Sequence, residues 1–191
     1  NIISYNGNKI ITCSGGGMLF THDEESANKA RKWATQAREN APWYQHEELG
    51  YNYRMSNILA GIGRGQYLHL AEHLSQKRAI YKRYQEGLKD LPITMNPYIK
   101  DLMKPNCWLS SILIKPEAMC HQIRGEKEVS YVKEKGKSCP THIMETLAKY
   151  NVESRPIWKP MHLQPIYRNN PFITKKGEDN TTDVGSDIFN R

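Results

Sequence analysis

Apolar positions after Ser56 recur with a helical period. Tyr67, Leu70, Leu74, Tyr81, Tyr84 and Leu88 stand three, four or seven residues apart, which puts them on one stripe of a helix. The spacing predicts a single helix from Ser56 to about Leu88. Earlier, Thr21-His22-Asp23-Glu24 fits a capping box with Thr21 as N-cap, and acids then precede bases along a helix predicted over His22 to Arg38. A third helix, Thr141 to Tyr150, follows Pro140 at its first position and carries Ile143, Met144 and Leu147 on its apolar face. Ile10 to Thr12 and Met18 to Thr21 read as short strands around Ser14-Gly15-Gly16-Gly17, and Cys107 to Lys115 and Val152 to Ile157 as two more.

Between these elements the pattern loosens. Glu117 to Lys137 is polar and loop-like, and Lys175 to Asp187 reads as a mobile tail. Leu91-Pro92 and Asn96-Pro97 mark a boundary, giving residues 1–90 as one domain with the long helix and 91–191 as a second, small one. Strands interleaved with helices predict an α/β class. Three glycines, Gly61, Gly63 and Gly65, lie inside the long helix. Each costs about 1 kcal/mol against alanine, so either another backbone approaches closely there or the helix breaks.

Charge narrows the partners only a little. Lys and Arg outnumber Asp and Glu by 27 to 20, for a net charge of +7. The bases gather in solvated loops, around Arg124 to Lys137 and at Lys175-Lys176, and not along one helix face. That spacing does not point to nucleic acid. Cys13, Cys107, Cys120 and Cys139 show no zinc-ligand spacing and read as reduced thiols of a cytoplasmic protein. No apolar stretch reaches the length of a membrane span. The chain starts at Asn1, inside what reads as a structural element, so a true N-terminus is expected upstream.

The chemistry concentrates in "SYNGNKIITCSGGG". Lys9 stands between an Asn-Gly turn and an apolar run, where an unpaired ammonium would be costly to bury. Either its stem carries the charge out to solvent, or its amine has work to do. A desolvated amine can attack an aldehyde carbon, as pyridoxal phosphate requires. Ser4 could turn its hydroxyl toward a phosphate or make an ordinary turn bond.

Three segments taken together carry a resemblance: "SYNGNKIITCSGGGMLFT", "LGYNYRMSNILAGIGRGQ" and "ESRPIWKPMHLQPIY". In order and spacing they resemble the DegT/DnrJ family of pyridoxal-phosphate-dependent sugar aminotransferases. The branch they look most like aminates UDP-linked 4-keto-6-deoxy-N-acetyl hexosamines for bacillosamine-type sugars. The resemblance implies the C-terminal part of an aspartate-aminotransferase-like, type I fold, comprising the end of the large domain and a small α/β domain. It implies pyridoxal phosphate as cofactor, with Lys9 as the lysine that bonds it and moves the proton. Ser4 would hold the cofactor phosphate, and Asn52 would reach the phosphate of the neighbouring subunit in a homodimer with shared active sites. His162, Trp158, Lys159 and Arg155 become candidates for the nucleotide-sugar substrate, with glutamate as amino donor. Related sugar dehydratases carry histidine in place of the lysine, so Lys9 favours transamination.

Against the family pattern, the N-terminal half is missing, and with it the aromatic that stacks on the pyridine ring and the Asp that pairs with its nitrogen. The 191 residues alone are therefore expected to be inactive. The competing expectation is a non-catalytic dimerisation or interaction module.

Overall fold

The computed structural model describes residues 1–96, 98–99, 101–174 and 183–190. The chain divides into two compact units: Asn1–Lys82 with Pro105–Leu109, and Arg83–Lys104 with Ser110–Arg191.

The first unit opens with an antiparallel pair, β1 (Ile2–Ser4) and β2 (Gly17–Leu19), in which Ile2 faces Leu19 and Ser4 faces Gly17. The predicted Ile10–Thr12 strand does not form. Its polar groups are bonded from the side instead: Thr12 Oγ1 donates to Tyr5 O at 3.1 Å, and His73 Nδ1 donates to Ile10 O at 3.1 Å. Helix α1 spans Glu24–Ala34, and its cap is Asp23 rather than Thr21. The Asp23 carboxylate accepts from the amides of Glu25 and Ser26, adding negative charge at the helix N-terminus, while Thr21 Oγ1 accepts from Asp23 N. The helix stops four residues short of Arg38 because Gln36 and Ala37 turn left-handed, at φ 68° and 49°.

The long apolar stripe is two helices, α2 (Asn57–Tyr67) and α3 (Leu70–Gly87). Ser56 caps α2 by accepting from Leu59 N at 3.3 Å. The interruption falls at Leu68-His69 and not at the glycines. Of the three, Gly63 alone answers to close approach: a Cβ there would sit 2.7 Å from Cys13 Sγ, whereas Gly61 and Gly65 meet nothing within 4 Å.

In the second unit β3 (Ile93–Met95) pairs antiparallel with β4 (Ile112–Ile114). The predicted Cys107–Lys115 strand is thus cut to its C-terminal end. Cys107 is buried at φ 53°, a left-handed conformation no strand accommodates. The polar segment predicted as loop contains a hairpin, β5 (His121–Arg124) with β6 (Val129–Val132), closed over a charged turn. Helix α4 (Pro140–Lys149) begins as predicted, with Cys139 Sγ accepting from His142 N. Val152 to Ile157 forms no strand: β-favouring residues alone do not make one without a neighbouring ladder. Of the predicted mobile tail, residues 175–182 lie outside the described residues, and Asp183 leads directly into α5 (Val184–Asn190).

The core among the described residues is small. Cys13, Ala37, Tyr81, Cys107 and Cys120 are its buried apolar members. Ile58, Tyr67 and Leu68 on and just after α2 stay 65% or more exposed.

Candidate active site

Lys9 lies in the loop joining β1 to β2, not at the start of a strand. The loop is tied at short range: Asn6 N donates to Ser4 Oγ at 3.3 Å, Lys9 N to Asn6 O at 3.0 Å, and Cys13 N to Tyr5 O at 2.9 Å. Ser4 and Lys9 are therefore held on one turn of chain. The Lys9 side chain is half-buried, and its Nζ sits 3.5 Å from the centroid of the Trp108 ring. The Trp108 indole N–H donates to Asn8 O at 2.7 Å. No carboxylate pairs with Lys9 among the described residues.

The "GYNYR" segment packs in the same unit. Asn52 forms an isolated antiparallel bridge with Thr35, between Tyr51 and Tyr53, whose rings stack at 4.9 Å. The exposed Asn52 amide makes no side-chain hydrogen bond among the described residues. Beyond it, Met55 reaches the glycine turn of the lysine loop. A Cβ on Gly16 (φ 88°) would lie 2.6 Å from Met55 Cε, so two of the motif segments meet there. Just before Asn52, Glu48 accepts from Lys29, Trp33 and Lys32, bonds that pull its carboxyl down to about 2.

The third motif lies in the second unit. Arg155 donates to Glu153 at 3.0 and 2.6 Å, so the internal carboxylate holds it. Both side chains are well exposed. Trp158 is 66% exposed and Lys159 half-buried. His162 stacks on Phe172, with ring centroids 3.7 Å apart. Its Nε2 lies 2.9 Å from Ser186 Oγ and 3.0 Å from Asp183 Oδ2. Both partners take the same ring nitrogen, so this Ser, His and Asp are not arranged as a nucleophilic relay, which needs one partner on each nitrogen. Hydrogen bonds from Ser186 hold the Asp183 carboxyl below its ordinary range, with the His162 charge a lesser cause. The His162 ring also edges a hollow of about 340 Å³ with Met161, Tyr167 and Phe172.

The model of the DegT/DnrJ/EryC1/StrS aminotransferase family matches residues 1–190. The chain belongs to that family. It is 41% identical over 192 residues to EpsN of Bacillus subtilis (strain 168), named as a candidate pyridoxal phosphate-dependent aminotransferase; the alignment takes in 100% of this chain and 43% of EpsN. It is 29% identical over 164 residues to a GDP-perosamine synthase of Escherichia coli O157:H7, covering 86% of this chain and 39% of that protein. Among solved structures it superposes on the aminotransferase TlmJ from Streptoalloteichus hindustanus with a TM-score of 0.71, at 19% identity over 99% of this chain and 43% of that one. The chain thus spans less than half the length of the relatives it matches, and the shared architecture is the type I fold expected above.

The family's cofactor is pyridoxal phosphate, and the donor set of the first unit suits a phosphate-bearing aldehyde. Lys9 offers an amine that no carboxylate pairs among the described residues. Ser4 Oγ accepts from Asn6 N, which leaves its O–H to donate, and the Asn52 amide has donors to spare. Sequence reasoning missed Trp108 and His73, both of which bind the lysine loop. No local signal marks them, since 100 and 63 residues separate each from its bonding partner in the loop.

Proposed function

We infer that the full-length protein transfers an amino group from glutamate to a nucleotide-linked keto sugar. The leading acceptor is a UDP-4-keto-6-deoxy-N-acetyl hexosamine, and the product would serve surface-glycan or glycoprotein sugar synthesis in the cytoplasm. The observation that supports this reading is the half-buried amine of Lys9, which no carboxylate pairs among the described residues. When bound, pyridoxal phosphate supplies an aldehyde to carry the amino group and a ring that takes up an electron pair. Lys9 Nζ would hold the cofactor and, when its amine is free, would take up and return the substrate proton. Ser4 Oγ–H would donate to the phosphate. Asn52 would reach the cofactor phosphate of a neighbouring subunit in a homodimer. Trp158 packs on the sugar and Lys159 meets the diphosphate, with His162 and Arg155 at the margin of that surface.

The test is an amino-transfer assay of the full-length protein against UDP-, GDP- and dTDP-linked keto sugars with glutamate. Transfer to the UDP sugar supports the reading. Preference for a GDP sugar, the nucleotide in the name of the Escherichia coli relative, would correct the acceptor. Absence of transfer to every sugar would favour the non-catalytic interaction module.

A further inference from the structure

We propose that Trp108 is a positioning residue for the Lys9 amine, holding it by the face of the indole ring. The proposal rests on the reading of Lys9 as the cofactor-bearing lysine. Lys9 Nζ lies 3.5 Å from the ring centroid, well inside the roughly 6 Å reach of a cation–π contact. The ring cannot swing away freely, because its N–H is bonded to Asn8 O, the carbonyl next to Lys9, at 2.7 Å. One side chain therefore grips both the backbone and the amine of the same loop.

The segment that carries Trp108 is itself pinned. Arg78 Nε donates to Pro105 O at 3.4 Å, and Trp108 N donates to Asn106 Oδ1 at 3.1 Å. Cys107, buried at φ 53°, gives the left-handed turn that sets the indole against the loop. Pro105–Leu109 is grouped with the first unit although the chain on either side belongs to the second. A carboxylate in place of this ring would neutralise the amine and hold it by a charge that must be broken before the nitrogen can bond carbon. An aromatic face orients the ammonium without an opposing charge and, after proton loss, leaves the nitrogen lone pair free to bond carbon.

The test is the rate at which an acylating reagent modifies Lys9 in the full-length protein freed of cofactor, mapped by peptide mass spectrometry against Lys29 and Lys32. Trp108→Leu keeps apolar bulk without an aromatic face; Trp108→Phe keeps the face without the N–H. The Leu variant is expected to raise the Lys9 rate roughly fivefold, with Phe staying within about twofold of the parent. Equal rates in the Leu and Phe variants, or no change in either, would overturn the proposal. Should Lys29 and Lys32 accelerate along with Lys9, the Leu variant has lost its fold. The ring-current shift then decides: the Lys9 Cε protons of the parent should resonate upfield of other lysines, and an ordinary shift would overturn the proposal. Borohydride trapping of the cofactor on a different lysine would instead sink the reading of Lys9, whatever the labelling rates.

Discussion

Two loops, one in each unit, carry the titratable groups that the motifs single out, and they treat those groups in opposite ways. In the β1–β2 loop the backbone is tied down while the amine of Lys9 faces an aromatic ring and, among the described residues, no carboxylate. In the Trp158–Pro165 loop the imidazole of His162 is itself the tie: Ser186, Asp183 and Phe172 all engage it. Reactivity can reside in only one of the two. A group already committed to buried partners holds a fold together, and one whose neighbours orient it without consuming its valence can do chemistry.

The comparison breaks first at Lys9. Lys9→Ala should lower turnover of the full-length protein by at least roughly 10²–10⁴-fold, the range for loss of a positioned acid–base group. Some non-covalent cofactor binding should survive, readable by dialysis and absorbance. His162→Ala should act the other way round, costing about 1–2 kcal/mol of stability through the lost stack on Phe172 and the lost bond to Ser186, whose hydroxyl still has Asp183. Urea denaturation measures it. A large rise in KM with an unchanged denaturation midpoint would make His162 a substrate contact and not a structural tie.

How much of this the sequence shows depends on range. Helix starts at Ser56 and Pro140 are legible because cap and first turn are neighbours in the chain. Ser4 and Lys9 share a turn for the same reason. Trp108 on Lys9 is illegible: a strand reading of Cys107–Lys115 takes β-propensity at face value, and nothing in the residue type announces a left-handed Cys107. The β5–β6 hairpin hides behind Glu126-Lys127-Glu128, whose charges read as loop although they only close it. Val152–Ile157 fails for the converse reason, having propensity without a partner strand.

The ion-pair group around Glu48 sharpens the contrast at lower cost. Its carboxyl is held at about 2 in the folded protein against 4.5 ordinarily. A depressed carboxyl contributes stability that is fully present above pH of about 4.5 and fades as pH falls toward about 2. Denaturation midpoints of the parent should therefore drop across that window more steeply than those of Glu48→Gln. A parallel pair of curves would remove Glu48 from the account. Smallest of all, Arg155→Ala should change stability by no more than about 1 kcal/mol, because its pair with Glu153 is exposed. A KM effect without a stability effect would place Arg155 on the diphosphate.

Whether Lys9 is the amine of the reaction is decided by reducing the cofactor-loaded full-length protein with borohydride and sequencing the modified peptide. One phosphopyridoxyl group is expected, on Lys9, in the peptide that contains Ser4 to Lys9. A stable adduct on any other lysine, or stoichiometric cofactor with no adduct at Lys9, would contradict it.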